Sequence, residues 1–281
     1  MLFVAFTSMF WAIQSYAEKR TVSTGVSRRD FFFYSCLCLV PFAAIMLFLT
    51  PFYLDFSYIL VLILFASIVL RYGKVTAIVS TVEYLVPFES EAYMCLGVIL
   101  AYVVDCILGI KGFSHWGVLS IIITLFGVFL IADVKLQIKK LRINLVIRLI
   151  CDVGSGYCAR YALLYCSNAM YILTLNLMIV LIFCRLYKFE YHKRNWGIIK
   201  LVLIQQFLGF LCLFFGNIVA QQSVTAYAFI RPISLAICVI IAYFYKNIPV
   251  SVGMFGKPRQ PKIKDVVAIV FIISGIYLQT I

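Results

Sequence analysis

The sequence predicts an all-α integral membrane protein whose ten transmembrane helices form two inverted five-helix repeats. Three observations predict it. The chain is apolar throughout: 64% of its 281 residues are hydrophobic and only 12% are charged, with a mean hydropathy of +1.06. A soluble domain needs roughly a quarter of its residues charged, so lipid is the natural solvent here. Apolar runs alternate with short charged or turn-forming breaks, the pattern of successive membrane helices. Finally, the two halves of the chain match each other at a nearly constant offset.

The spans fall near 2–18, 31–50, 57–71, 76–108, 114–134, 143–165, 167–187, 196–220, 222–245 and 264–280. The first runs straight into Glu18, Lys19 and Arg20 and reads as a span, not a cleavable signal peptide. The fourth is too long for one straight crossing and contains Pro87, so a broken or tilted helix is expected. The sixth carries Arg148 and Asp152, four residues apart and so placed to pair on one helix face. Gly154, Ser155 and Gly156 follow, where small residues favour close helix packing. Asn176 adds an amide to the seventh span, and Gln205, Gln206, Asn217, Gln221 and Gln222 add more to the eighth and its exit.

Basic residues set the orientation. Connections 1–2, 3–4, 5–6, 7–8 and 9–10, with the span ends that flank them, hold 20 of the 24 Lys and Arg, whereas the even connections hold only Lys111. The positive-inside rule turns the odd connections to the cytosol and leaves both termini outside. The net charge of +13 is therefore a membrane-rim feature and no nucleic acid partner is expected. The ten cysteines are scattered through apolar segments, with no CxxC pair and no zinc spacing, which reads as buried inert thiols.

The halves correspond as 1–140 and 141–281. FASIV at 65–69 matches FGNIV at 215–219, VTA at 75–77 recurs at 224–226, and VILAY at 98–102 matches VIIAY at 239–243. GVLSIIITLFGVFLI at 117–131 matches DVVAIVFIISGIYLQ at 265–279, and SYAEK at 15–19 lines up with GYCAR at 156–160. Five crossings per unit is an odd number, so the second copy inserts upside down. Inverted halves that rock about a shared central site are a recurring plan of secondary transporters.

Ionisable groups inside a span cost about 2.5–3.5 kcal/mol each on insertion scales, so each asks for a reason. Glu89 and Glu91 follow Pro87 in the fourth span, and Arg231 precedes Pro232 in the ninth. Proline frees backbone carbonyls there, and the repeat would set acidic and basic groups opposite each other. Substrate contact or coupling is therefore expected at Glu89, Glu91, Asp152 and Arg231, with Trp11, Gln14, Tyr157, Arg160, Gln206 and Asn217 as further polar or aromatic candidates around a cavity between spans 1, 3, 4, 6, 8 and 9. Structural pairing among these charges is the plainer alternative. No metal site, cofactor or catalytic residue is expected: His115 and His192 both fall in connections, and no GxSxG, HExxH, P-loop or dinucleotide fingerprint occurs.

The five-plus-five repeat, the proline in the fourth span of each half, Gly127 and Gly275 in the fifth spans, and the basic Lys19 and Arg160 near the ends of the first spans together resemble the drug/metabolite transporter superfamily, in its EamA-type ten-helix form. The likeness spans essentially the whole chain. It implies a secondary transporter of a small polar or zwitterionic organic metabolite, working as a monomer or homodimer. The chain departs from the family in carrying Lys246 where an acidic residue is common after the fourth span, and in a first half about eight residues longer around Pro87. The alternatives are a lipid or isoprenoid-carrier translocator and a non-catalytic membrane subunit. A membrane enzyme would need a loop rich in His, Asp or Asn. The short loops without an N-x-S/T acceptor fit a bacterial inner membrane.

Overall fold

Serine, proline and glycine set the helix ends. Ser27 opens one helix by accepting the Asp30 amide at 3.1 Å, and Ser223 opens another by accepting the Ala226 amide at 3.2 Å, each satisfying a donor that the first turn leaves free. Pro87 sits first in its helix, where its missing N–H costs nothing. Gly25 and Gly109 adopt φ of 76° and 65°, just past helices that stop there.

The computed structural model describes residues 2–82, 85, 87–131, 139–186, 195–245 and 263–278. They form α1 (Leu2–Val22), α2 (Arg28–Leu49), α3 (Tyr58–Val82), α4 (Pro87–Met94), α5 (Gly97–Ile107), α6 (His115–Ile131), α7 (Lys139–Ala162), α8 (Asn168–Leu186), α9 (Asn195–Gln222), α10 (Val224–Ala228), α11 (Ile230–Tyr245) and α12 (Ile263–Leu278). Among the described residues the only β-type pairing is an isolated bridge between Leu54 and Cys166.

Five helical stretches are long and apolar enough to cross a membrane: Arg28–Leu49, Tyr58–Val82, Ser90–Ile107, Trp196–Gln222 and Val224–Phe244. Polarity is inside out. Phe48 is 91% exposed and Phe65 and Phe129 are each 62% exposed, while Glu91, Arg148, Asp152 and Arg231 are buried. Water does not support that distribution over so wide a surface, whereas hydrocarbon does. The molecule fits a membrane protein.

Three element boundaries differ from expectation. The third helix does not stop near residue 71 but continues to Val82, so Arg71 and Lys74 are helical residues and not part of a connection. Between them Gly73 is where α7 comes close: a Cβ there would stand 2.8 Å from the Cys151 sulfur. The expected long fourth span is correspondingly shorter, from Pro87 to Ile107, and is divided into α4 and α5 at Cys95–Leu96. α1 also outruns its expected end by one turn, keeping Glu18 in helix.

The most extensive packing joins α6 to α12, α3 to α7, α1 to α9 and α2 to α8. Glycine makes the α6–α12 contact possible. A Cβ on Gly127 would stand 2.6 Å from the Ala268 carbonyl oxygen, and one on Gly275 would stand 2.8 Å from that of Ser120. Without side chains the backbones approach closely, as in small-residue membrane interfaces. Two apolar clusters result. One gathers Phe31, Phe32, Leu39, Ile78, Tyr171, Ile179 and Phe210, and the other gathers Trp11, Val98, Val128, Tyr227, Ile230, Leu235 and Ile272. Residues of both face a polar seam.

Candidate functional site

Helical periodicity delivers polar residues to that seam. On α3, Ser67, Arg71, Lys74 and Ile78 share one face, as do Arg148, Ser155 and Ala159 on α7 and Gln205, Gly209, Cys212 and Asn217 on α9. With Trp11, Gln14 and Glu18 of α1 and Tyr227 and Arg231 of α10 and α11, these residues line a cavity of about 100 Å³.

One wall of the cavity is an ionic network. The Arg231 Nε and Nη2 lie 3.0 and 2.5 Å from Asp152 Oδ2, and its Nη1 donates to Glu91 Oε2 at 2.8 Å. The Lys74 ammonium stands 2.5 Å from Asp152 Oδ1. Arg148 Nη2 is 3.6 Å from Glu91 Oε1, which also accepts from Ser15 Oγ at 2.9 Å. Arg148 Nη1 donates to Ser90 Oγ and reaches Thr81 Oγ1 at 3.5 Å. Each carboxylate thus meets two cations, which is what keeps charge stable where water is excluded.

Trp11 covers this network. Its ring centroid lies 3.9 Å from Arg231 Cζ and 5.1 Å from Lys74 Nζ, so both cations sit over the negative face of the indole. Tyr227 meets Trp11 edge-on at 6.2 Å. Gln14 Nε2 donates to Glu18 Oε1 at 3.3 Å. Glu18 is 9% exposed and lies within electrostatic reach of Arg148, Lys74, Arg231 and Glu91.

Of the ten residues expected at the site, Trp11, Gln14, Gln206, Asn217 and Arg231 line the cavity. Glu91 and Asp152 join it through their ion pairs with Arg231. Two lie elsewhere. The Tyr157 hydroxyl bonds the Ala101 carbonyl at 3.0 Å and Asp105 Oδ1 at 2.8 Å. Arg160 caps the end of α9, donating to the Gln221 carbonyl at 2.5 Å. The Glu89 side chain lies outside the described residues, although its backbone is in α4. The expected pair within α7 also changes: Asp152 pairs with Arg231 and Lys74, while Arg148 turns to Glu91 and Ser90. Four residues apart permits a pair, but cations on α3 and α11 reach Asp152 first. The cavity also takes residues from α2 and α8, such as Ser35 and Asn176, and among the described residues none from α4 or α5.

The sequence reading missed Glu18, Arg71 and Lys74 as site residues because it placed them at span ends and in connections. The spacing Ser67–Arg71–Lys74–Ile78 was the available signal, since it continues one helical face through Gly73.

Asp105 anchors a separate joint. It is fully buried, and its Oδ2 accepts from Ser223 Oγ at 2.9 Å, Thr225 N at 2.8 Å and Thr225 Oγ1 at 2.7 Å. A carboxylate so placed caps α10 from a distant part of the chain.

No family model and no curated protein matches this chain. A crystal structure of a protein 13% identical shares the fold, with a TM-score of 0.63 over 99% of this chain and 95% of that one.

Proposed function

We propose that this chain is a secondary transporter of a small polar or zwitterionic organic metabolite, of the EamA-type drug/metabolite transporter plan, in a bacterial inner membrane with both termini outside. Its halves, 1–140 and 141–281, are read as inverted five-helix repeats that alternate access to the central cavity.

The observation that carries the reading is the network at the cavity wall, because it is assembled across the halves. Lys74 and Glu91 belong to the first half, and Arg148, Asp152 and Arg231 to the second. The pairs Lys74–Asp152, Arg231–Glu91 and Arg148–Glu91 all cross between them. Pairs that cross a moving boundary break and reform as the halves rock, and a solute bearing its own charge substitutes for one partner during the exchange. A merely structural ion pair has no need of a cavity beside it.

Packing supports the repeat. Exchanging α1 with α7, α2 with α8, α3 with α9 and α6 with α12 turns the α3–α7 contact into α9–α1. The same exchange leaves α2–α8 and α6–α12 unchanged. The fourth element of each half is broken in two, as α4–α5 and as α10–α11, and broken helices surround the sites of such carriers. A cavity of about 100 Å³ is below the ~300–1,000 Å³ usual for metabolite sites, so loading requires the halves to separate.

Counterflow in proteoliposomes is the test. Purified protein is reconstituted, a panel of amino acids, organic acids, nucleosides and sugars is screened, and Arg231→Ala and Asp152→Asn are compared with the native chain. Exchange of a solute across the bilayer, lost in both variants, is the expected result. Transport unaffected by both variants refutes the site, and no flux of any solute refutes the carrier reading. Lipid scrambling in place of solute flux would identify a translocator instead.

A further inference from the structure

The network just described leaves one cavity cation unaccounted for. Lys74, Arg148 and Arg231 face Glu91 and Asp152 directly, and Glu18 lies within reach of all three cations, so these six charges balance. Arg71 also lines the cavity, yet it forms no ion pair among the described residues. It lies one helical turn from Lys74 on the same face of α3, against the Cys36 thiol and within electrostatic reach of the Tyr171 hydroxyl. Its Nε is buried and has no hydrogen-bond partner among the described residues.

Three other residues of the cavity lining also carry buried polar atoms without partners among the described residues. Gln205 is fully buried, and neither its Oε1 nor its Nε2 meets a partner among the described residues. Asn176 is fully buried and its Oδ1 is likewise unpartnered, as is the oxygen of Ser35, which is 2% exposed. All three line the same cavity as Arg71 and come from three helices, α9, α8 and α2. A buried amide or hydroxyl without a partner is costly, because the hydrogen bonds it gave up to water are not replaced. Several such groups converging on one cavity beside a guanidinium are therefore a binding surface held in readiness and not packing.

Building on the transporter reading, we propose that Arg71, with Gln205, Asn176 and Ser35, is the subsite that seats an anionic oxyacid group of the solute, a carboxylate or a phosphate. The guanidinium fork matches two oxygens of either group. Gln205 Nε2 and the Ser35 hydroxyl supply further donors, and the Asn176 and Gln205 carbonyl oxygens accept from hydroxyl or amide groups beside the anion. The charge balance favours an organic anion over a neutral solute, because only an anion neutralises Arg71.

The test uses the purified full-length chain and three probes: sodium lactate, inorganic phosphate, and lactamide in sodium chloride at matched ionic strength. Ligand binding raises the melting temperature by an amount that grows with the logarithm of ligand concentration relative to Kd. Lactate or phosphate is expected to raise it above the salt control while lactamide does not, and the anion that does so names the source. Arg71→Gln is expected to weaken that response by about tenfold or more, the loss of one charge-assisted contact. Gln205→Glu puts an internal carboxylate into the cavity that Arg71 lines and is expected to abolish the response in a protein that still melts cooperatively. Equal stabilisation by lactamide, an undiminished response in either variant, or no response of the native chain to either anion overturns the subsite. Counterflow separates this from the broader reading. Flux that ignores Arg71→Gln refutes the subsite and leaves the carrier standing, whereas anion binding through Arg71 without any flux refutes the carrier and leaves the subsite.

Discussion

Arg231 and Asp152, 79 residues apart, meet through two guanidinium nitrogens on a single carboxylate oxygen, at 3.0 and 2.5 Å. Asp152's other oxygen faces Lys74, and Arg231's third nitrogen is taken by Glu91. The two residues are thus the middle of a chain of alternating charge, Lys74–Asp152–Arg231–Glu91–Arg148. Each internal member compensates two neighbours, so no single removal is local.

Breaking this chain at one place strands a buried charge. Arg231→Met and Asp152→Leu are each expected to destabilise the protein by about 3–5 kcal/mol, because an uncompensated ion in a dry interior is costly. The double variant Arg231→Met/Asp152→Leu is expected to be less destabilised than the sum of its singles. Chemical unfolding in mild detergent reads both, and additive losses would show that the pair is not coupled.

Lys74 separates stability from transport. It is less buried than its partners, with 14% of its side chain exposed, and Asp152 retains Arg231 when Lys74 is neutralised. Lys74→Gln is therefore expected to keep a native-like melting temperature while lowering counterflow by roughly tenfold, the weight of one charge-assisted bond. Full activity in this variant would remove Lys74 from the transport cycle.

Asp105 offers a contrast outside the cavity. Its carboxylate accepts from Tyr157, Ser223 and Thr225. Asp105→Ala leaves several buried donors empty and is expected to cost about 3 kcal/mol. Asp105→Asn keeps one acceptor oxygen and should cost less. Melting curves of the two variants, compared with the native chain, check the order.

Glycine positions divide by what stands opposite them. Gly127→Val drives a side chain into the Ala268 carbonyl across the α6–α12 contact and is expected to lower the melting temperature sharply. Gly197 in α9 has nothing within 4 Å of its would-be Cβ, so Gly197→Ala is expected to be neutral or stabilising by up to about 1 kcal/mol. Equal behaviour of the two variants would contradict the packing of α6 on α12.

Orientation is checked by labelling. Ser23, in the α1–α2 connection, and Asp55, in the α2–α3 connection, are both exposed. In a Cys184→Ser background, which removes the exposed thiol, a membrane-impermeant maleimide applied to intact spheroplasts is expected to label Asp55→Cys and not Ser23→Cys. The reverse pattern would place the termini inside.

Much of the helix layout was legible before any coordinates. Most helix ends fall within a turn of the apolar runs, because hydrocarbon-length segments leave little freedom in where they begin. α7 and α9, for example, were bounded by charge clusters and their lengths followed. The middle of the first half was not legible. Gly73 and the flanking Arg71 and Lys74 imitate a turn, and the approach of α7 onto that glycine decides for the continuous face of Ser67, Arg71, Lys74 and Ile78. Half of the site was visible through the rule that intramembrane charge needs a reason, which pointed to Glu91, Asp152 and Arg231. The partners of those charges were not, since pairing depends on which helices become neighbours.

From the residues alone followed an all-helical chain with helices fit for a membrane, its charge segregated between short connections and a few costly interior positions. Those properties come from transfer free energies and from backbone hydrogen bonding, which each segment satisfies by itself. Tertiary packing alone decided that Asp152 meets Arg231 and not Arg148, that Lys74 reaches the interior, and that Arg71, Gln205, Asn176 and Ser35 converge on one cavity. Those contacts join residues far apart in the chain, and their geometry is set by how helices dock, which local pattern does not encode.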